Sequence, residues 1–98
     1  MDEIHERNVA KGVLGDYLTT LDAVSIYSAR GMSIKTSPVI INRLDVLKEN
    51  LCKRKLVARY YNYNISDEEI RGIREEKVSH DKLTEILTKV ATLLNKVN

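Results

Sequence analysis

The chain has no Phe and no Trp, and its only aromatic residues are five Tyr. A hydrophobic core must therefore be built from Leu, Ile, Val and Ala, aliphatic side chains that interdigitate well between helices. One Pro and four Gly among 98 residues argue against a strand-and-turn fold, whose tight reversals draw on those residues repeatedly. The single Cys52 excludes an internal disulfide and fits a reducing compartment. No apolar run approaches the ~20 residues needed to cross a bilayer. The opening Met-Asp-Glu-Ile-His-Glu-Arg lacks the basic and apolar stretches of a secretory signal, so the expected location is cytoplasmic. A formal charge of +2 is too small to mark a nucleic-acid binder by itself. The two histidines, His5 and His80, fall in helix starts far apart, without metal-ligand spacing to each other or to Cys52. No catalytic group, metal site or cofactor is expected, and the chain is read as a non-enzyme.

What is present is helical periodicity. A hydrophobic fraction of 43% is ordinary for a globular protein, and the length suits one core, so residues 1–98 are expected to form a single domain. In residues 3–30, Ala10, Val13, Leu14, Tyr17, Leu18, Leu21 and Val24 recur at three- and four-residue steps. Ser25 and Ser28 continue that stripe, and Gly31 suits the left-handed position that closes a helix. Ser37 and Pro38 open a second segment with a cap and a favoured first residue, followed by Ile40, Leu44, Leu47 and Leu51. Beyond Leu51 the phase slips: Arg54 and Lys55 stand where apolar residues are due. Either the helix bends near Lys53 or its far half is buried on a different side; of the two, we expect one helix over 38–61 that changes partner along its length. Ser66 followed by Asp67, Glu68 and Glu69 is a capping box opening a short helix over 67–77, with Ile70 and Ile73 as its apolar positions. Ser79 caps the last segment, 80–97, striped by Leu83, Leu87, Val90, Leu94 and Val97, with Ile86 and Leu93 beside them. The fold expected is all-α: a small antiparallel bundle of three long helices and one short one.

Charge is uneven. Residues 48–65 hold five basic side chains against Glu49 alone, and residues 66–81 hold six acidic against three basic. On a continuous helix Lys48, Lys55 and Arg59 share one side, with Tyr60, Tyr61 and Tyr63 just beyond. A basic strip beside rings is what single-strand recognition uses, since phosphates attract cations and bases stack on aromatics. The candidate nucleic-acid contacts are Lys48, Lys53, Arg54, Lys55, Arg59, Tyr60 and Tyr63. The competing account has the acidic third helix folding back to neutralise the strip. Off-stripe apolar residues are candidates for protein contact, namely Ile26, Tyr27, Leu56, Tyr60 and Tyr61. The last helix also offers a seam for a second copy, with Leu83, Val90 and Val97 at d and Leu87 and Leu94 at a.

Three resemblances accompany this reading. Arg74 and His80, six apart, resemble the Arg-x-x-x-x-x-His signature of HEPN-type ribonucleases, although a helix break is expected between them. EIRGIREEKVSHDKLTEIL, from Glu69 to Leu87, resembles the opening of a phage-repressor helix-turn-helix domain, but lacks the turn glycine and a following recognition helix. VLGDYL (Val13–Leu18) and PVIINRL (Pro38–Leu44) resemble, in the same order but at other spacings, segments of the bacteriocin immunity proteins. That last likeness implies a small cytosolic four-helix bundle acting as an inhibitor. The function expected is a non-enzymatic regulator, adaptor or inhibitor that docks onto another protein or onto itself. The alternatives are an accessory nucleic-acid binder using the strip at 48–63 and an immunity-like bundle.

Overall fold

The computed structural model describes residues 3–97, and every regular element among them is helical. Met1 and Asp2, the start of the stretch read for a signal, lie outside the described residues. Helix α1 (Glu3–Ala29) leads through a 3-10 turn (Ile34–Thr36) to α2 (Pro38–Leu47), and a wide π-type turn (Lys48–Lys53) follows. Then come α3 (Leu56–Tyr61), α4 (Asp67–Arg74) and α5 (His80–Val97). At about 1.5 Å per residue the 27 residues of α1 reach about 40 Å, nearly the whole 43 Å length of the molecule. Helix α1 packs most extensively on α5, then on α3 and α2. It is the member around which the rest is arranged.

The buried face of α1 carries Ala10, Val13, Leu14, Tyr17, Leu21 and Val24, as the stripe predicts. Thr20 joins them, its buried hydroxyl satisfied by donating to the Asp16 carbonyl at 2.7 Å. Gly31 closes the helix in the left-handed conformation, φ 66°. The Gly31 N–H donates to Ser28 and the Met32 N–H to Tyr27, the paired bonds of a Schellman stop. Ile34, in the 3-10 turn between α1 and α2, is buried in the core.

The segment expected as one helix over 38–61 is broken. It starts as predicted, with the Ser37 hydroxyl accepting from the Ile40 N–H ahead of Pro38. After Leu47 the hydrogen bonding widens, ending with Arg54 N–H to Glu49 at 3.0 Å. Lys55 then turns left-handed at φ 51° before α3 begins. The wide turn takes up the phase slip seen after Leu51. Leu51 stays buried, Arg54 and Lys55 are carried outward, and Leu56 and Val57 enter the core from a new direction. A left-handed lysine costs roughly 1–2 kcal/mol, offset by the apolar area that this redirection buries.

Helix α4 ends at Arg74, three residues before the expected Lys77. Glu76, a non-glycine residue at φ 58°, closes it, with Glu76 N–H to Ile73 and Lys77 N–H to Gly72. Gly72 lies under Val78: a Cβ there would stand 3.2 Å from the Val78 Cγ2. In α5 the buried line is Leu83, Ile86 and Val90, while Leu87, Leu93 and Leu94 are half-buried against the same core. The Val97 side chain lies outside the described ones. Because Leu83 and Val90 are buried against their own chain, the proposed coiled-coil seam along α5 is not an exposed surface.

Tyr17 is fully buried and is the largest side chain in the core. Its hydroxyl donates to the Glu69 Oε2 at 2.6 Å, tying the middle of α1 to the first turn of α4. Half of the expected capping box forms, Ser66 accepting from the Glu69 N–H at 3.1 Å. The Glu69 carboxylate turns to Tyr17 instead of back to its own cap. Tyr17→Phe should cost about 1–2 kcal/mol, and Glu69→Ala about 1–3 kcal/mol because a buried phenol is left without its acceptor. Denaturant titrations of both variants and the double should show the double losing less than the sum. Strictly additive losses would mean that the bond contributes nothing.

Candidate functional site

The break at Lys55 disperses the basic strip. Lys48, Lys55 and Arg59 do not share one side of a continuous helix, because the helix is not continuous. Lys48 reaches Asp67 on α4 at 3.5 Å, which is the expected fold-back of the acidic helix. Lys53 pairs within its own turn, with Glu49 at 3.3 Å, and Arg59 pairs with Glu6 of α1 at 3.0 Å. Neutralisation thus comes from three elements, with α4 supplying one part. Among the described residues Arg54 reaches the Asn50 side-chain oxygen at 3.5 Å, and Lys55 is exposed.

The tyrosines are engaged as well. Tyr60 donates to the Glu6 Oε2 at 2.8 Å, and Arg7 stands 5.6 Å from the centre of its ring. Tyr61 donates to the Arg7 carbonyl at 3.0 Å, and Tyr63 is half-buried against the core. These contacts pin α3 onto the first turns of α1. They leave none of the three as an open platform for a base. Among the candidates for protein contact, Leu56 is core at 6% exposed, Tyr27, Tyr60 and Tyr61 are half-buried, and Ile26 is open at 44%.

Two of the concave surfaces among the described residues lie along α1 beside these groups. The first, of about 510 Å³, lies between the start of α1 and the Lys53–Arg59 stretch. Lys53, Arg54 and Arg59 converge there over a floor of Val9 and Leu56, with Glu6 and His5 on the α1 side. The second, of about 260 Å³, runs between α1 and α2. Its walls are Val13, Val46 and Leu47, and Asp16 of α1 lines it along with Asn42 and Arg43 of α2 and Asn50 of the π-type turn. Val46 is 52% exposed, and Val39, seven residues earlier and so on the same side of the helix, is 63% exposed. Neither valine was singled out from the sequence, although both stand off the Ile40–Leu44–Leu47–Leu51 stripe.

The resemblance to HEPN-type ribonucleases finds no support in the geometry of Arg74. Its guanidinium is taken by Asp45 of α2, Nε to Oδ1 at 2.8 Å and Nη2 to Oδ2 at 3.4 Å, while His80 opens α5 on the surface. Helix α5 runs unbroken from His80, inside the repressor-like segment, to Val97. Among the described residues no His, Cys, Asp and Glu side chains group as a metal site, and no helix is long and apolar enough to cross a membrane. Compared with protein-family models, curated proteins and solved structures, the chain finds no match in any of the three.

The ion pairs set an acid limit on the fold. The Tyr60 hydroxyl, and after it Arg59, hold the Glu6 carboxyl below its ordinary value of 4.5. Arg71 does the same for Asp67, ordinarily 3.8, as Lys89 does for Glu85. A carboxyl lowered in the folded state contributes stability above its unfolded value and loses it as pH falls through the folded one. Melting temperature should therefore fall as pH drops from about 5 toward 2, and fall less steeply in Glu6→Gln. Identical acid profiles for the two proteins would remove Glu6 from the account.

Proposed function

We propose that the chain is a non-enzymatic regulator, adaptor or inhibitor that works in the cytoplasm by docking onto another protein through the outward face of α1 and α2. The observation that carries this reading is the exposure of Val39 and Val46 on one side of α2, with Val46 lining a groove that also holds Asp16, Asn42, Arg43 and Asn50. Isolated surface valines need no explanation. Two on one helical face beside a concave surface make a contact patch of the kind that buries on association. The reading keeps the class expected from the sequence and moves the surface, from Leu56, Tyr60 and Tyr61 to Val39 and Val46, with Ile26 as the retained candidate. An inhibitor of the immunity-protein kind would be one instance of such docking. Cys52, a free half-buried thiol, is in keeping with a reducing cytoplasm.

The test is affinity capture from the native cell with the intact complex weighed. The Val39→Asp/Val46→Asp double variant should weaken capture by about tenfold or more while its helical circular dichroism stays unchanged. Tyr60→Phe should capture as wild type does. A wild-type chain that brings down no partner and does not self-associate sinks the reading.

A second reading rests on the convergence of Lys53, Arg54 and Arg59 on one cleft. It makes the chain an accessory binder of single-stranded nucleic acid that holds the backbone alone, since the tyrosine rings are engaged. Three phosphate contacts predict a log–log salt slope of about −2. Lys53→Glu/Arg54→Glu should abolish retention on single-stranded RNA at low salt, and Tyr63→Phe should leave it unchanged. No retention by the wild-type chain at low salt would end this reading.

A further inference from the structure

The α1–α2 groove has a property that speaks to what covers it. Asp16 and Arg43 both line it, both are exposed, and neither forms an ion pair with the other or with any other described residue. The neighbouring cations behave differently: Lys48 pairs with Asp67, and Arg74 with Asp45. The groove thus presents one free negative and one free positive group on a surface flanked by exposed valines.

We infer that this face pairs with a second copy of itself about a two-fold axis, Asp16 of each protomer meeting Arg43 of the other. The inference rests on the docking reading above and names its partner. An isologous contact requires a self-complementary surface, in which residue i meets j and j meets i. A patch carrying a single sign of charge cannot satisfy that condition, because its two-fold image brings like charges together. This patch, carrying one group of each sign, meets it with two Asp16–Arg43 contacts per dimer. The two-fold also doubles the apolar component, since Val39 and Val46 of both copies become buried together. On α1, Gly12 precedes Asp16 by one helical turn, and the space where its Cβ would stand is open, so the second copy can approach the backbone closely there. Opposite charges across the seam fix its register and disfavour a slipped arrangement, which is the main contribution of such pairs at an interface.

The experiment is sedimentation equilibrium of the full chain across a range of micromolar concentrations, for wild type, Asp16→Arg, Arg43→Asp and the exchanged double variant. Wild type should form a dimer. Each single variant should raise the dissociation constant by about tenfold or more, because two like-charge contacts appear per dimer. The exchanged double variant should return to within a few-fold of wild type, an outcome that a merely structural effect of either residue would not produce. Circular dichroism of all four should coincide, as both side chains lie on the surface. A wild-type monomer overturns the inference. If capture of a different protein is still lost in Val39→Asp/Val46→Asp, the docking reading survives that result. A dimer indifferent to the charge exchange also overturns the inference, and one indifferent to the valine variants as well removes this face from the docking reading too.

Discussion

The hydrogen bond from Tyr17 to Glu69 is the interaction on which the arrangement most depends. In a core without Phe or Trp, Tyr17 is the one fully buried ring. A buried phenol must find an acceptor, since an unsatisfied one costs about 1–3 kcal/mol. Burial, followed by the nearby Glu69 charge, pushes its ionisation well above the usual phenol range, so the group remains a donor. Glu69 stands in the first turn of α4, where a carboxylate is already favoured by the helix dipole. One bond therefore sets the height at which α4 meets α1, and Ile70 and Ile73 follow into the core.

Around that point the chain is punctuated by left-handed residues: among the described residues these are Gly31, Lys55, Asn62 and Glu76, of which Gly31 alone is a glycine. Glu76 shows why such a conformation persists. Its backbone ends α4, and its carboxylate accepts from the Ile34 N–H at 2.7 Å and the Ser33 hydroxyl at 2.9 Å. The end of one helix thereby supplies the cap of the 3-10 turn that follows α1. Backbone strain at one residue is compensated by two hydrogen bonds to a segment more than forty positions away.

These details explain what could be read from the sequence. The starts at Ser37, Ser66 and Ser79 and the stop at Gly31 were legible because capping is local, needing only a hydroxyl or a glycine within a few residues of the helix end. The break near Lys55 showed only as the phase slip after Leu51 and the stop at Glu76 not at all, because neither carries a glycine or proline to mark it. Ile34 and Ile65, both buried, sit in links whose periodicity is too short to register. On the surface the same cause produced the main misplacement. With the helix taken as continuous, Leu56 and Tyr60 projected off the stripe and looked surplus; once it breaks, they turn toward α1. Val39 and Val46 stand seven apart outside the α2 stripe, and only the burial of Ile40, Leu44 and Leu47 shows that they have no place inside.

The wide turn over Lys48–Lys53 separates the two halves of the old continuous segment mechanically. In an unbroken helix, one inserted residue rotates everything downstream by about 100°, so a change in one half constrains the other. Here the rotational link is already cut and reset at Lys55. The valine face of α2 and the cationic cleft beside α3 can accordingly drift in sequence independently, each answerable to its own neighbours on α1.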